Sequence, residues 1–173
     1  SKIIPRCAPF SMETNNTKAD ENCIFCTRAI VEKSFYSTAD FSALYNIAPI
    51  LPGHTLVIPN RHYQSLTELP ETELGNMMIF ARKITAVLKA VFTCDGFDWT
   101  IQDGISAGQT IPHLHLHIIP RKPFDLPESN EWYSKIPENE TQLLESRQRA
   151  RMNNDEYIAI TALLAEACKA NIR

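Results

Sequence analysis

His113-Leu114-His115-Leu116-His117 sets three imidazoles at every second position. In an extended strand alternate side chains share a face. The histidines then point one way, while Leu114, Leu116 and Ile118 point the other way, into a core. Crowded imidazoles cannot all be protonated cheaply, so their pKa values must separate. That suits a nucleophile, an acid and a ligand working side by side; it suits a plain metal site equally well. A neutral imidazole needs no deprotonation to act as a nucleophile near pH 7. The second concentrated signal is Cys23-Ile24-Phe25-Cys26. A Cys-x-x-Cys pair serves as half of a zinc site, as a redox couple, or as two buried thiols. The redox option is weakened because the pair lacks a βαβ setting.

The loop before the histidines adds to the first signal. Gln102-Asp-Gly104-Ile-Ser-Ala-Gly108-Gln109-Thr110 holds two of the five glycines of the chain. Glycine lets backbone amides come close to an anion. Gln102, Gln109 and Thr110 supply neutral donors beside it. Next to histidines, this composition fits a phosphate ester held without a basic surface.

Positioning these groups requires a sheet. Short strands are expected at Phe35–Ser37, Ala43–Ile47, His54–Pro59, Phe97–Asp103 and His113–Ile119. Pro49, Pro52 and Gly53 mark a loop between the second and third strands. Ser65-Leu-Thr-Glu68 has capping-box spacing, and Pro70 suits a first helical turn. Leu74, Met77, Met78, Ala81, Ile84, Leu88 and Val91 recur at three and four, which predicts an amphipathic helix over 70–91 whose stripe is core. Residues 155–170 predict a second helix, and 122–140, with Pro123, Pro127 and Pro137, read as irregular. The strand connections are mostly too short for parallel crossovers, so the expected class is α+β, an antiparallel sheet with helices on one side.

The 173 residues, 44 % apolar and 21 % charged, fit one domain over 22–173 with a C-terminal helical extension, preceded by a flexible polar tail over 1–21. A net charge of −3 gives no general pull toward nucleic acid or an acidic membrane surface. No apolar run approaches the ~20 residues of a membrane span. Five scattered cysteines are not a disulfide framework, so a reducing compartment, the cytoplasm, is expected. Trp99 is expected in the core. Trp132 and Tyr133 fall in the irregular segment, either flanking a ligand or in a surface loop. Arg147, Arg149 and Arg151 read as a solvated helix flank in preference to a phosphate site, and Arg121-Lys122 as a candidate screen for anionic charge.

QDGISAGQTIPHLHLHIIPR strongly resembles the signature of the histidine triad superfamily. Gln102-Asp-Gly104, Ala107-Gly-Gln-Thr110 and Pro120-Arg-Lys122 are most similar to the fragile histidine triad branch, the dinucleoside polyphosphate hydrolases. Asn46 through Pro59 resembles that branch's first nucleotide-contacting segment. The resemblance covers about residues 23–125 and fades beyond. It implies a five-stranded antiparallel sheet and a homodimer. It implies that His115 attacks an α-phosphate to form a nucleotidyl-histidine that water cleaves, and that His117 contacts and polarises the phosphate. Gln102 would lie near the scissile phosphate, Gly108, Gln109 and Thr110 along the phosphates, and Asn46 at the ribose. His54 would support the site. The resemblance also implies a zinc site of Cys23, Cys26, His113 and the His62 of Pro59-Asn-Arg-His62. The cysteine pair departs from the animal members of the branch. Phosphoramidate cleavage, phosphorolysis and a non-catalytic zinc-stabilised nucleotide-binding module are the alternatives.

Overall fold

The apolar alternation of the central segments is realised as one antiparallel sheet. The computed structural model describes residues 22–126 and 149–172. The strands are β1 (Tyr36–Ser37), β2 (Phe41–Tyr45), β3 (Thr55–Pro59), β4 (Gly96–Thr100) and β5 (Leu116–Arg121), in the spatial order β1-β2-β3-β5-β4. Among the described residues three α-helices accompany them: α1 (Arg28–Lys33), α2 (Glu71–Phe92) and α3 (Asn154–Asn171). The expected tail over 1–21, Trp132, Tyr133, Arg147 and most of the irregular segment lie outside the described residues.

Register explains the division of the sheet into two faces. Val57 pairs with Leu116, and Thr55 with Ile118. Phe41, Ala43, Tyr45, Val57, Leu114, Leu116 and Ile118 enter one core with Met77, Phe80, Ala81, Ile84, Val87 and Leu88 of α2. Burying each large apolar side chain contributes about 1.5–3 kcal/mol, so this stripe fixes α2 on that face. Leu164 and Cys168 tie α3 to the same core. The intervening residues face the other way. Leu44 and Ile58 cluster there with Cys23 and Phe25, and Leu56 packs beside them. Leu56 is also paired with His117.

Gly53 sits at the tight turn entering β3. Its φ is +92°, and a Cβ there would lie 2.6 Å from Pro120 Cγ and 2.9 Å from Phe92 Cδ2. Backbone conformation and packing both require glycine.

Several boundaries differ from the sequence expectation. The last strand starts at Leu116, because Leu114 N–H donates to Tyr63 O at 2.6 Å rather than to β3. His113 to His115 therefore lie outside the ladder. Ser65 and Glu68 do not cap the long helix. They frame a separate turn, Leu66–Glu68, in which Ser65 Oγ accepts from Thr67 N–H and Glu68 Oε2 from Gln64 N–H. Pro70 is the residue before α2 rather than part of it. Trp99 is 39 % exposed, because β4 is an edge strand, so it is not a core residue.

Candidate active site and metal centre

The exposed-type residues of the histidine run are buried: His54 and His113 are 0 % exposed, His115 and His117 1 %. Buried polar groups need partners, and here backbone groups choose the protonation pattern of each ring. Ile50 N–H donates to His54 Nδ1 at 3.2 Å, so the neutral ring carries its proton on Nε2. His54 Nε2 lies 2.9 Å from His117 Nδ1 and donates to it. His117 is thereby left with a proton on Nε2. That nitrogen has no hydrogen-bond partner among the described residues. His115 Nδ1 donates to His113 O at 2.7 Å, which places the lone pair on Nε2. The His115 and His117 rings are 4.9 Å apart. A lone-pair nitrogen thus stands next to a ring that presents N–H, a nucleophile beside a neutral hydrogen-bond donor.

Charge reinforces that pattern. Burial, then the neighbouring Arg149 and His115, pushes His54 down to about 3. Burial, then His115, His54 and Arg149, holds His117 well below the ordinary imidazole range. Both rings are neutral at physiological pH.

His113 belongs to a second group. Its Nε2 donates to Pro59 O at 2.9 Å, which turns an unprotonated Nδ1 toward the cysteines. That Nδ1 lies 3.4 Å from Cys23 Sγ and 3.5 Å from Cys26 Sγ, and His62 Nδ1 lies 3.2 Å from Cys26 Sγ. The four ligand atoms all lie within 4.8 Å of one another. A tetrahedral centre with Zn–S of about 2.3 Å and Zn–N of about 2.05 Å has S···N edges of ~3.6 Å. The donor set and its spacing fit a closed, four-coordinate metal ion. Pro59 O orients one ligand from outside the coordination sphere. His113 joins the two groups, since its ring faces the cysteines while its carbonyl holds His115. Phe25 lies edge-on to both rings, with centroids 5.6 Å away in each case.

The remaining expected residues are placed less uniformly. Asn46 Oδ1 accepts from Ala48 N–H at 2.9 Å. Its Nδ2 is 3.3 Å from His54 Nε2, a contact rather than a hydrogen bond because that nitrogen already donates to His117. Gln102 Nε2 donates to Ala107 O at 2.8 Å, and its buried Oε1 has no partner among the described residues. Gln109 is occupied within the protein: Oε1 accepts from Gly104 N–H at 2.7 Å and Nε2 donates to Gln64 O at 2.9 Å. It staples the loop. Gly108, at φ +93°, ends the turn Ile105–Ala107, and Thr110 is half-buried beside it. Arg121 is not available as a charge screen. It pairs with Asp98 at 2.7 Å and Asp125 at 2.9 Å, with its side chain 12 % exposed.

Two participants were not singled out by the sequence, and a third was read as a solvated charge. Ile50 acts through its backbone, which leaves no compositional trace. Phe25 is visible only as the apolar filling of Cys-x-x-Cys. Arg149 is 101 residues from the carbonyl it binds.

The model of the HIT domain matches residues 27–124. This chain belongs to the HIT family. Within it, the chain is 45 % identical over 109 residues to an asymmetrical bis(5'-nucleosyl)-tetraphosphatase of Schizosaccharomyces pombe, a match covering 63 % of this chain and 60 % of that protein. It is 41 % identical over 102 residues to a bis(5'-adenosyl)-triphosphatase of Dictyostelium discoideum, covering 59 % and 68 %. The matched part of this HIT chain therefore spans about 60 % of the first relative's length. A Zn-bound histidine triad family protein of Mycobacterium smegmatis superposes with a TM-score of 0.60 at 26 % identity, covering 86 % of this chain and 96 % of that one. A histidine triad nucleotide-binding protein of Sulfolobus tokodaii gives 0.67 at 26 % identity, covering 86 % and 93 %. The five-stranded antiparallel sheet with its helices is the fold shared with them. Among the described residues, no helix is long and apolar enough to cross a membrane.

Proposed function

We propose that this HIT chain hydrolyses dinucleoside polyphosphates of the diadenosine tri- or tetraphosphate type through a nucleotidyl-His115 intermediate. The observation that carries the reading is the pairing of His115, its Nδ1–H held by His113 O at 2.7 Å, with a His117 whose proton is directed to Nε2. His115 Nε2 attacks the α-phosphorus. An N–P bond forms as the bridging P–O bond breaks. His117 Nε2–H donates a hydrogen bond to the phosphate while the leaving nucleotide departs on its own phosphate oxygen, an anion that needs no proton, and the chain through His54 to Ile50 N–H keeps that ring correctly oriented. His113 O stabilises the Nδ1–H of the nucleotidylated ring, which is more acidic than that of the neutral one. Water then attacks phosphorus, the N–P bond breaks to return neutral His115, and the mononucleotide leaves as the water's proton passes to solvent. Two displacements replace one, with positioning supplying most of the remaining rate. The names of the Schizosaccharomyces and Dictyostelium relatives support this substrate class.

The supporting roles belong to the same reading. Gln102, whose buried Oε1 has no partner among the described residues, serves the phosphates together with Gly108 and Thr110. Gln109 acts there by shaping the loop. Asn46 serves the ribose. Zinc is the metal of the Cys23, Cys26, His62 and His113 cluster. When bound it supplies a structural crosslink with no open coordination position. We place residues 22–173 in one domain acting in the cytoplasm as a homodimer. The sheet edge at β4, with Trp99 39 % exposed, supports joining to a second copy. A light-scattering mass near one chain would reject the dimer.

Product analysis tests the reading. Diadenosine triphosphate with water, the same substrate with phosphate, and adenosine phosphoramidate are compared. AMP and ADP from the first are expected. Turnover of the phosphoramidate alone would overturn the hydrolase reading. His115→Ala is expected to abolish turnover while nucleotide binding persists.

A further inference from the structure

Arg149 occupies a position that a solvated flank would not. It is half-buried just before α3, and its Nε–H donates to Ala48 O at 2.9 Å. Three residues on, Met152 N–H donates to Ile47 O at 2.8 Å. These two bonds grip adjacent carbonyls of the same loop. That loop is otherwise held by its own polar groups. Asn46 N–H donates to His54 O at 2.9 Å, and Ala48 N–H to Asn46 Oδ1 at 2.9 Å. Two residues beyond the gripped carbonyl, Ile50 N–H meets His54 Nδ1. The placement of this one backbone N–H decides which His54 nitrogen is protonated, and hence which way His117 faces its proton.

The guanidinium also acts electrostatically. Its charge opposes protonation of both His54 and His117. Among the described residues the other titratable group facing the pair is His115, its ring centroid 4.9 Å from that of His117. The ladder neighbours of His117 are Leu56 on β3 and Thr100 on β4, both uncharged. Arginine stays protonated at any relevant pH, so this is a fixed charge rather than a titrating one.

We propose that Arg149 is a positioning residue of the active site: it clamps the Asn46–Ile50 loop through Ala48 O so that Ile50 N–H selects the His54 tautomer. The C-terminal segment thereby completes a relay built from residues 50, 54 and 117. The consequence for rate rests on the proposed phosphoryl-transfer reading; the tautomer and charge effects do not.

The experiment is a 15N-imidazole NMR titration of the full chain, loaded with zinc, as wild type, Arg149→Gln and Arg149→Lys, alongside pH profiles of kcat and KM on diadenosine triphosphate. Wild type is expected to show His54 with Nδ1 unprotonated and Nε2 protonated at pH 7. Arg149→Gln is expected to average the two tautomers and raise the protonation midpoint of the pair by about tenfold in proton affinity. It should lower kcat about tenfold, more than it raises KM. Arg149→Lys keeps the charge, so it should restore the midpoint while leaving the tautomer partly averaged. An unchanged tautomer and midpoint in Arg149→Gln would overturn the proposal whatever the activity. If Arg149→Gln does not fold, a wild-type tautomer signature in Arg149→Lys that survives loss of the Ala48 contact overturns it, and averaging sustains it. Absence of turnover in wild type would count against the proposed function, while the NMR result still decides the role of Arg149.

Discussion

Lowering the pH from 8 to 5 should remove about 2 kcal/mol of folding stability through His54 alone. The folded ring is held down to about 3 by burial and by Arg149 and His115, against an ordinary value of 6.5. At pH 8 neither the folded nor the unfolded imidazole is protonated, so this group contributes nothing to the difference. Below 6.5 the unfolded chain takes up a proton that the folded chain refuses, and unfolding is favoured. At pH 5 the gap is about 1.5 pH units, or ~2 kcal/mol at 1.36 kcal/mol per unit. The loss continues until the pH reaches about 3, the folded value, and then levels off. Urea unfolding at half-unit steps from pH 8 to 5, on wild type and His54→Gln, measures it. The variant removes the titration and keeps a polar side chain. His117 is displaced in the same direction, partly by His54 itself, so the difference between the curves reports His54 together with its influence on His117. The two curves should converge by about 2 kcal/mol between pH 8 and 5. Parallel curves would refute the claim that His54 is buried and neutral.

Other perturbations test separate parts of the structure. Cys26→Ser should lose one zinc per chain by elemental analysis and lower the thermal midpoint, and chelation of wild type should reproduce the midpoint shift, because the cluster is buried beside Phe25. Gly53→Ala should cost about 1–3 kcal/mol in urea unfolding, since a methyl at φ +92° meets Pro120 and Phe92. Asp125→Ala leaves a largely buried Arg121 with Asp98 alone and should cost about 3 kcal/mol by the same assay; a loss below about 0.5 kcal/mol would mean that solvent screens the pair.

Much of this arrangement is written locally. The alternation through Leu114, Leu116 and Ile118 marks the core face, and the Leu74-to-Val91 stripe marks α2, because both depend on side-chain period alone. The beginning of β5 was not legible, since it depends on Leu114 N–H finding Tyr63 O rather than a strand partner. Nor was α1, whose six residues bury no side chain and have no side-chain cap. Spacing shows Cys23 and Cys26 as a pair. His62 and His113 join them only through the fold, and the family resemblance is what named them in advance. Gln109 has the right type for a phosphate ligand, yet its amide closes on Gly104 and Gln64. Arg149 shows the opposite case, a charge in a basic run that becomes specific only when the chain brings it back to Ala48.

The central claim is that His115 carries the nucleotide between two displacements. Wild type and His115→Ala, mixed briefly with diadenosine triphosphate, quenched in alkali and digested, are compared by peptide mass spectrometry. The account predicts an adenylyl increment on the His113–His117 peptide of wild type, located on His115 and absent from the variant. Steady hydrolysis by wild type with no adenylyl group on any histidine, or undiminished hydrolysis by His115→Ala, would contradict it.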